Sequence, residues 1–211
     1  MTTYEHAMLG ACGVLATGLH RRFGWPVVGI AAVTAVLPDW DGVTLLLGPR
    51  LFALLHRAAG HNLLVCVVLG AAVAALDYRY SLVCRAASFA RRRLPRLQSR
   101  AASPIRRRFR SNELAIWIAV GAAASLSHLA ADLVFSGHAR LADWGLPLLW
   151  PFSERQWVFP MVRWGDVGAS VIFVAAMFAM VRWPQRIEPL ARLTLLVVVG
   201  YIALRGFALA S

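Results

Sequence analysis

The sequence predicts an all-α, polytopic membrane helix bundle of about five to six hydrophobic helices. Two observations support this prediction. The chain of 211 residues is 59% hydrophobic and only 15% charged, whereas soluble domains carry about 25% charged residues. Its apolar residues also fall into six separate runs, which fits a single membrane-embedded domain over residues 1–211.

The apolar runs are separated by proline and by charged or polar residues. They cover residues 7–19, 25–37, 63–76, 114–135, 167–181 and 190–209. A bilayer core needs about 20 apolar residues per helix, so the first three runs are marginal in length. Residues 136–166 hold three prolines and four tryptophans. Because proline breaks helices and tryptophan favours the headgroup layer, we expect an ordered extracytoplasmic loop there.

Arginine is distributed unevenly and indicates how the bundle is oriented. Eleven arginines lie between Arg79 and Arg110 with no acidic residue among them, so residues 81–111 are predicted to be an Arg-rich cytoplasmic loop. Two smaller clusters agree with this side, at Arg21 and Arg22 and at Arg182, Arg186 and Arg192. The net charge of +12 does not predict nucleic-acid binding, because the aromatic and glycine pattern of an RNA-binding sheet is absent. Membrane lipids are the expected partners.

Residues of metal-binding type lie at the opposite, extracytoplasmic ends of the runs. His128 and Asp132 are four residues apart on a predicted helix, so their side chains share one face. Such a pair can hold a divalent metal. The alternative is a histidine that simply forms a hydrogen bond with the neighbouring carboxylate. The position in an apolar helix favours function, because ionisable groups near a bilayer are costly.

A pair of aspartates follows the second run directly. Pro38 is expected to end the helix, leaving Asp39 and Asp41 on a tight turn. Two carboxylates this close repel each other unless a cation neutralises them. An N-cap for the next helix would use the same residue type, so the motif leaves metal binding and capping open.

Histidines complete the set of candidate ligands. His56 and His61 flank Arg57, and His6 begins the first run. Neutral imidazole is a common ligand for zinc and similar ions, although an interfacial histidine needs no metal. A guanidinium matches phosphate, so Arg57 is a candidate phosphate-binding residue or else a solvated surface charge. Asp166 opens the fifth run and is expected to cap a helix or to support the site.

The order of four short motifs is the most specific feature of the chain. LPDWD at 37–41, HRAAGH at 56–61, LSHLAAD at 126–132 and GLPLLWP at 145–151 follow His6 and Gly10. In this order they resemble the YdjM-like family of bacterial inner-membrane, metal-dependent hydrolases, some of them LexA-regulated. The resemblance implies a helical, membrane-embedded relative of the zinc-dependent phospholipase C and P1 nuclease group, located in the bacterial inner membrane.

The resemblance also implies a set of site residues. The metal ligands it carries over are Asp39, His61, His128 and Asp132, with His6, Asp41 and His56 as further candidates. The sequence departs from the family pattern at Gly60-His61-Asn62, where the family usually has Thr-His-Ser, and its Arg-rich insertion is longer than usual.

These observations together predict a membrane-bound hydrolase that uses a divalent metal, with zinc the expected ion. The expected substrate is a phosphoester, lipid-linked if it is reached at headgroup depth, and the attacking group is a metal-activated water. Arg57 and Asp41 are the candidate catalytic residues, with Arg57 stabilising developing negative charge. Two alternatives remain, which are an ion or small-solute transporter and a membrane scaffold with a structural metal.

Overall fold

The computed structural model describes residues 1–55, 59–93, 110–136 and 145–210. In chain order its α-helices are α1 (Thr3–Thr17), α2 (Leu19–Phe23), α3 (Trp25–Val36), α4 (Pro49–Leu55), α5 (Leu63–Tyr80), α6 (Leu82–Arg93), α7 (Ser111–Val134), α8 (Gly168–Arg182) and α9 (Ile187–Ala210). A long 3₁₀ segment, Leu37–Leu47, joins α3 to α4, and a single 3₁₀ turn, Pro184–Arg186, precedes α9. All six apolar runs are therefore helical.

The prediction of an all-α polytopic bundle is confirmed. Within the described ranges, four helical stretches are long and apolar enough to cross a membrane, and they are Trp25–Leu47, Leu63–Tyr80, Ser111–Val134 and Pro184–Ala208. Helix α8 is apolar but has only 15 residues, and α1 is equally short. The expected five to six hydrophobic helices thus correspond to four of membrane length and two shorter ones.

The segment after Pro38 differs from the expectation. Helix α3 ends at Val36, as the proline predicts, but the predicted tight turn is wrong because the chain continues as the 3₁₀ segment to Leu47. Proline suits the first turn of a helical segment, since its φ angle is already helical and its missing N–H would have had no partner there. The aspartates therefore lie on a rigid helical element rather than on a turn.

Small residues bring the helices of the bundle close together. A Cβ atom added at Gly121 of α7 would overlap the Gly70 carbonyl oxygen of α5 and lie 2.5 Å from the Ala74 Cβ. Similarly, a Cβ at Gly10 of α1 would lie 2.7 Å from the Ala35 Cβ of α3. Membrane helices associate through such close backbone approaches, because burial of apolar area gives no gain in a lipid environment.

We expect Gly121→Ala to destabilise the bundle by about 1–3 kcal/mol, which is typical of overpacking a tight contact. Thermal unfolding in detergent measures the effect. Gly200→Ala is the matched control, because a Cβ there meets nothing within 4 Å and alanine is the better helix former. Equal unfolding temperatures for the two variants would contradict the role of Gly121 in packing.

The two ends of the bundle carry different polar contacts. At one end Arg21, which follows α1, forms an ion pair of 2.7 Å with Glu188 at the start of α9, and the Arg110 carbonyl accepts a hydrogen bond from Tyr78. At the other end the Ser170 hydroxyl of α8 donates to Glu5 at 2.8 Å. The ends of the runs that the arginine clusters predict to be cytoplasmic thus share one end of the molecule. The side of the membrane itself stays a prediction.

The loop before α8 packs on the opposite end of α7. Leu146 and Trp157 form an isolated antiparallel bridge with two backbone hydrogen bonds of 2.9 Å. The backbone N–H groups of Phe159 and Val162 donate to carbonyls of the last turn of α7. Leu146 and Val162 are fully buried, so this part of the predicted interfacial loop is ordered. Residues 137–144, including Trp144, lie outside the described residues.

The predicted Arg-rich loop begins with a helix. Residues 82–93 form α6, which the high arginine content had led us to expect as loop. Asp77 provides the reason, because its carboxylate accepts a hydrogen bond of 2.8 Å from the Val83 N–H in the first turn of α6. Residues 94–109 lie outside the described residues.

Candidate metal centre

Four side chains from three parts of the chain meet at the end of the bundle opposite Glu188. Asp39 lies in the first turn of the 3₁₀ segment, and His61 lies just before α5. His128 and Asp132 are one turn apart near the end of α7. The ends of α3, α5 and α7 are packed together, and this packing turns residues far apart in sequence into one cluster.

Five of the six distances among the four donor atoms lie between 3.1 and 3.6 Å. The Nε2 atoms of His61 and His128 are 3.1 Å apart. From Asp39 Oδ1 they lie at 3.5 and 3.4 Å, and from Asp132 Oδ2 at 3.6 and 3.5 Å. Tetrahedral zinc with bonds of about 2.0–2.1 Å places neighbouring ligand atoms about 3.3 Å apart. His61, His128 and Asp132 therefore lie close enough together to hold a metal ion.

The hydrogen bonds behind the two imidazoles determine which nitrogen faces the cluster. His128 Nδ1 donates to the Ala35 carbonyl at 2.8 Å, and His61 Nδ1 donates to Asp41 Oδ2 at 3.0 Å. Both partners only accept, so each Nδ1 carries the proton and each Nε2 presents a lone pair. Two Nε2 atoms and two carboxylates this close together need a shared proton or a metal ion between them, and hydrogen bonds of this kind behind the rings are typical of metal-binding histidines.

Electrostatics at His61 agree with an anionic surrounding. Burial by itself lowers the pKa of His61, but the hydrogen bonds to Asp39 and Asp41 outweigh burial and hold the pKa above its ordinary value. Asp41 is fully buried, while Asp39 keeps about a third of its side chain exposed. Asp39 is thus the donor of the cluster most accessible from outside.

His6 packs beside the four-atom cluster. Its ring stacks on His128 with centroids 3.6 Å apart, and its Nε2 lies 3.1 Å from Asp132 Oδ1. The same Asp132 oxygen accepts a hydrogen bond of 2.7 Å from the Met1 amino group. Two groups of three can hold a metal, His61 with His128 and Asp132, and His6 with Asp39 and His128. Both use His128, which makes it the central residue.

Glycine at position 60 allows His61 to reach the 3₁₀ segment. A Cβ atom on Gly60 would overlap the Pro38 carbonyl oxygen and lie 2.9 Å from Asp41 Oδ2. Next to it, the Asn62 side chain accepts a hydrogen bond from the Val65 N–H and caps α5. Asn62 thus has a structural role of its own, and His61 is held between the close approach at Gly60 and the start of α5.

A cavity of about 520 Å³ gives access to the cluster. Asp39, His61 and Asp132 line it, as do Trp164, Asp166 and Ser170 from the loop before α8 and from α8 itself. Three of the four donor side chains line this cavity, so a small substrate can reach the cluster from outside.

The cavity wall formed by the loop before α8 and by α8 itself was only partly predicted from the sequence. Asp166 accepts hydrogen bonds from the Gly168 N–H at 2.8 Å and from Tyr201, and it pairs with Arg205 at 2.9 Å. Burial raises the pKa of Asp166, but these hydrogen bonds and Arg205 hold it below the ordinary value. The Asp166 carboxylate thus accepts the first N–H of α8, although the N-cap residue of this helix is Val167. Arg205 was missed in the sequence analysis, although a charge inside an apolar run is a signal that could have pointed to this network.

Sequence comparison places the chain in a family. A family model described as YdjM inner membrane protein matches residues 1–211. The chain belongs to the YdjM inner membrane protein family. No curated protein and no solved structure matches it. The family description and the four membrane-length helices together locate this YdjM family member in the inner membrane, as predicted.

The remaining sequence predictions fall into two groups. His56 and Arg57 lie outside the described residues, so their roles in this YdjM family member stay predictions. Asp41 lies behind His61, on the nitrogen that faces away from the cluster, and its catalytic role likewise stays a prediction. The capping alternative for the aspartates finds no support at the 3₁₀ segment, whose N-cap is Val36 without any side-chain hydrogen bond.

Proposed function

We propose that this YdjM family member is a metal-dependent hydrolase of phosphoesters, with its centre at the extracytoplasmic end of the bundle. The observation that carries the proposal is the convergence of two imidazole Nε2 atoms and two carboxylates within 3.1–3.6 Å, beside a cavity of about 520 Å³. Nitrogen and carboxylate donors in this arrangement suit zinc. A zinc ion bound there would supply a water of near-neutral pKa and polarise the phosphoryl oxygens.

The cluster consists of buried side chains that would hold the metal and one side chain that faces the cavity. His61, His128 and Asp132 are buried and form one of the groups that can hold a metal. Asp39 lies on the cavity side and is partly exposed, so substrate or water approaches the centre past its carboxylate. Catalytic zinc sites typically have three protein ligands and keep one position for water. In this proposal His61, His128 and Asp132 are the three ligands, and Asp39 lies beside the position left for water.

Two further residues have supporting roles in the proposal. Asp41 accepts the Nδ1–H of His61 and fixes the ring, which makes it a positioning residue. Arg57 precedes His61 by four residues and is proposed to stabilise the negative charge that develops on the phosphoryl group. A phosphoester fits this pairing of metal and guanidinium better than a neutral ester, since both groups favour an anionic centre.

A scaffold with a structural metal is the second candidate function. It is favoured by the number of protein donors, because four donor side chains lie close together here and closed structural zinc sites are held by four protein ligands. The cavity and the partly exposed carboxylate of Asp39 favour a catalytic metal site instead.

A transporter finds less support in the distribution of charge. An ion path needs ionisable groups through the depth of the bundle. Among the described residues, six of the seven buried acidic and histidine side chains belong to the site end, and these are Glu5, His6, Asp41, His61, His128 and Asp132. The seventh, Asp77, is satisfied at the other end by Trp117 and the Val83 N–H.

Metal analysis of the purified protein, combined with a panel of phosphoester substrates, tests the proposal. We expect about one zinc per chain, and a cobalt-substituted protein whose visible spectrum changes when phosphate is added, because an open coordination position accepts the anion. Bound metal with a spectrum indifferent to phosphate and no turnover would establish the scaffold function instead.

Replacing the positioning residue provides a sharper measurement. We expect Asp41→Asn to weaken metal binding by about 10–100-fold, the usual effect of losing a hydrogen-bond partner behind a ligating histidine. The matched control is Asp77→Asn, which alters a buried carboxylate at the opposite end of the bundle. Competition with a chelator measures both affinities. Identical affinities in the two variants would remove Asp41 from the site.

A further inference from the structure

The 3₁₀ segment has three distinct faces, because its side chains repeat every three residues. Pro38, Asp41 and Thr44 form the buried face. Asp39 and Gly42 line the cavity, and Leu45 continues their face while being 57% exposed. The cavity face therefore changes from a carboxylate to an apolar side chain over two turns, a rise of about 12 Å.

The outward face of the same segment is apolar throughout. Trp40, Val43 and Leu46 are 45%, 59% and 84% exposed. Across the cavity, Trp164 and Val167 are also more than half exposed. We call these two sets of residues the apolar rims. An entrance that opens into water would not carry such side chains on both sides, since exposed apolar patches mark binding surfaces or membrane contact.

Continuity with the membrane-spanning part identifies what covers the rims. The stretch Trp25–Leu47 is itself long and apolar enough to cross a membrane, and it includes one whole rim. The same helical stretch thus runs from the lipid-facing surface of the bundle to Asp39 at the centre. Asp39 therefore lies within a stretch of membrane-spanning length, so lipid is the expected neighbour of the rim that this stretch carries.

We infer that the cavity opens sideways into the bilayer between the apolar rims and receives a phosphoester carried on a membrane lipid. This inference rests on the proposed hydrolase function and specifies its substrate class. The phosphoryl group reaches Asp39 and the metal ligands, while the glycerol-like portion and the chains lie along Gly42 and Leu45. A Cβ at Gly42 would meet nothing within 4 Å, so this face leaves room for the lipid.

The first test is independent of turnover. A nitroxide attached at Leu45→Cys is studied in proteoliposomes, in a background with Cys84→Ser, because Cys12 and Cys66 are buried. We expect collisions with oxygen to exceed those with a water-soluble nickel chelate, as for the reference Leu193→Cys, an exposed position in a stretch of membrane-spanning length. A nitroxide that prefers the nickel chelate, like one at the exposed loop residue Arg155, would overturn the sideways entrance.

The second test uses a phosphoester presented in two forms, on a bilayer lipid and on a short water-soluble analogue with the same headgroup. We expect Leu45→Ser to raise the lipid mole fraction for half-maximal rate about tenfold, equivalent to about 1.4 kcal/mol, and to leave the KM of the soluble analogue unchanged. Leu193→Ser on α9 is the matched control, since Leu193 is 56% exposed and Leu45 is 57% exposed.

The outcomes separate the inference from the function on which it rests. Equal effects of Leu45→Ser on the lipid and the soluble analogue would overturn entry from the bilayer while leaving the hydrolase in place. A nitroxide at position 45 in the bilayer, with no turnover of either substrate, would contradict the hydrolase and support the lipid-facing position of the cavity.

Discussion

We expect His128→Ala to abolish both metal binding and phosphoester turnover. His128 belongs to both groups of residues that can hold a metal, and its Nε2 lies within 3.6 Å of donor atoms from Asp39, His61 and Asp132. Its loss therefore removes a ligand, an effect larger than the about 10–100-fold loss of affinity expected when only a supporting hydrogen bond is removed. Metal content and rate are measured on the same detergent-purified sample.

Two further variants distinguish the loss of a metal ligand from a simple failure of the protein to fold. His20→Ala changes a histidine in α2, at the other end of the bundle, and is expected to keep metal and activity. His128→Gln keeps a side chain of similar length and a polar end, so the bundle should fold while the metal is still lost. Full activity of His128→Ala in metal-free buffer would eliminate the metallohydrolase and leave the transporter or scaffold.

The second large effect is expected for Gly60→Ala. A methyl group at this position would overlap the Pro38 carbonyl oxygen and press on Asp41, and neither neighbour can move without shifting the 3₁₀ segment. Overpacking of this kind costs about 1–3 kcal/mol or more. Since the displaced elements carry Asp39 and His61, metal affinity should fall together with thermal stability.

Gly13→Ala is the matched control for this change. Gly13 lies in α1, where a Cβ would meet nothing within 4 Å, so alanine should be neutral or slightly stabilising. Thermal unfolding without zinc measures the loss of stability, and the stabilisation on adding zinc measures the loss of metal affinity. A Gly60→Ala protein as stable as Gly13→Ala, and equally stabilised by zinc, would show that His61 does not depend on the close approach at Gly60.

The sequence alone determined which residues are available for chemistry and at which end they lie. Apolar runs in lipid must satisfy their own backbone hydrogen bonds, so hydrophobicity over this many residues leaves helices as the natural structure. Arginine clusters then placed His61 and His128 at a common end before any contact was known. The motifs from LPDWD to LSHLAAD pointed to the family, which the family model then showed.

Only the tertiary structure decided how those residues divide their roles. Asp39 and Asp41 share one short motif, and the three-residue repeat of the 3₁₀ segment turns Asp39 toward the cavity and buries Asp41 behind His61. The cavity wall at Asp166 and Arg205 likewise depends on the packing of α8 against α9. Local sequence pattern determines the helices and their faces. The donor atoms of a metal site must be placed to within less than an ångström, and that precision depends on how whole helices pack.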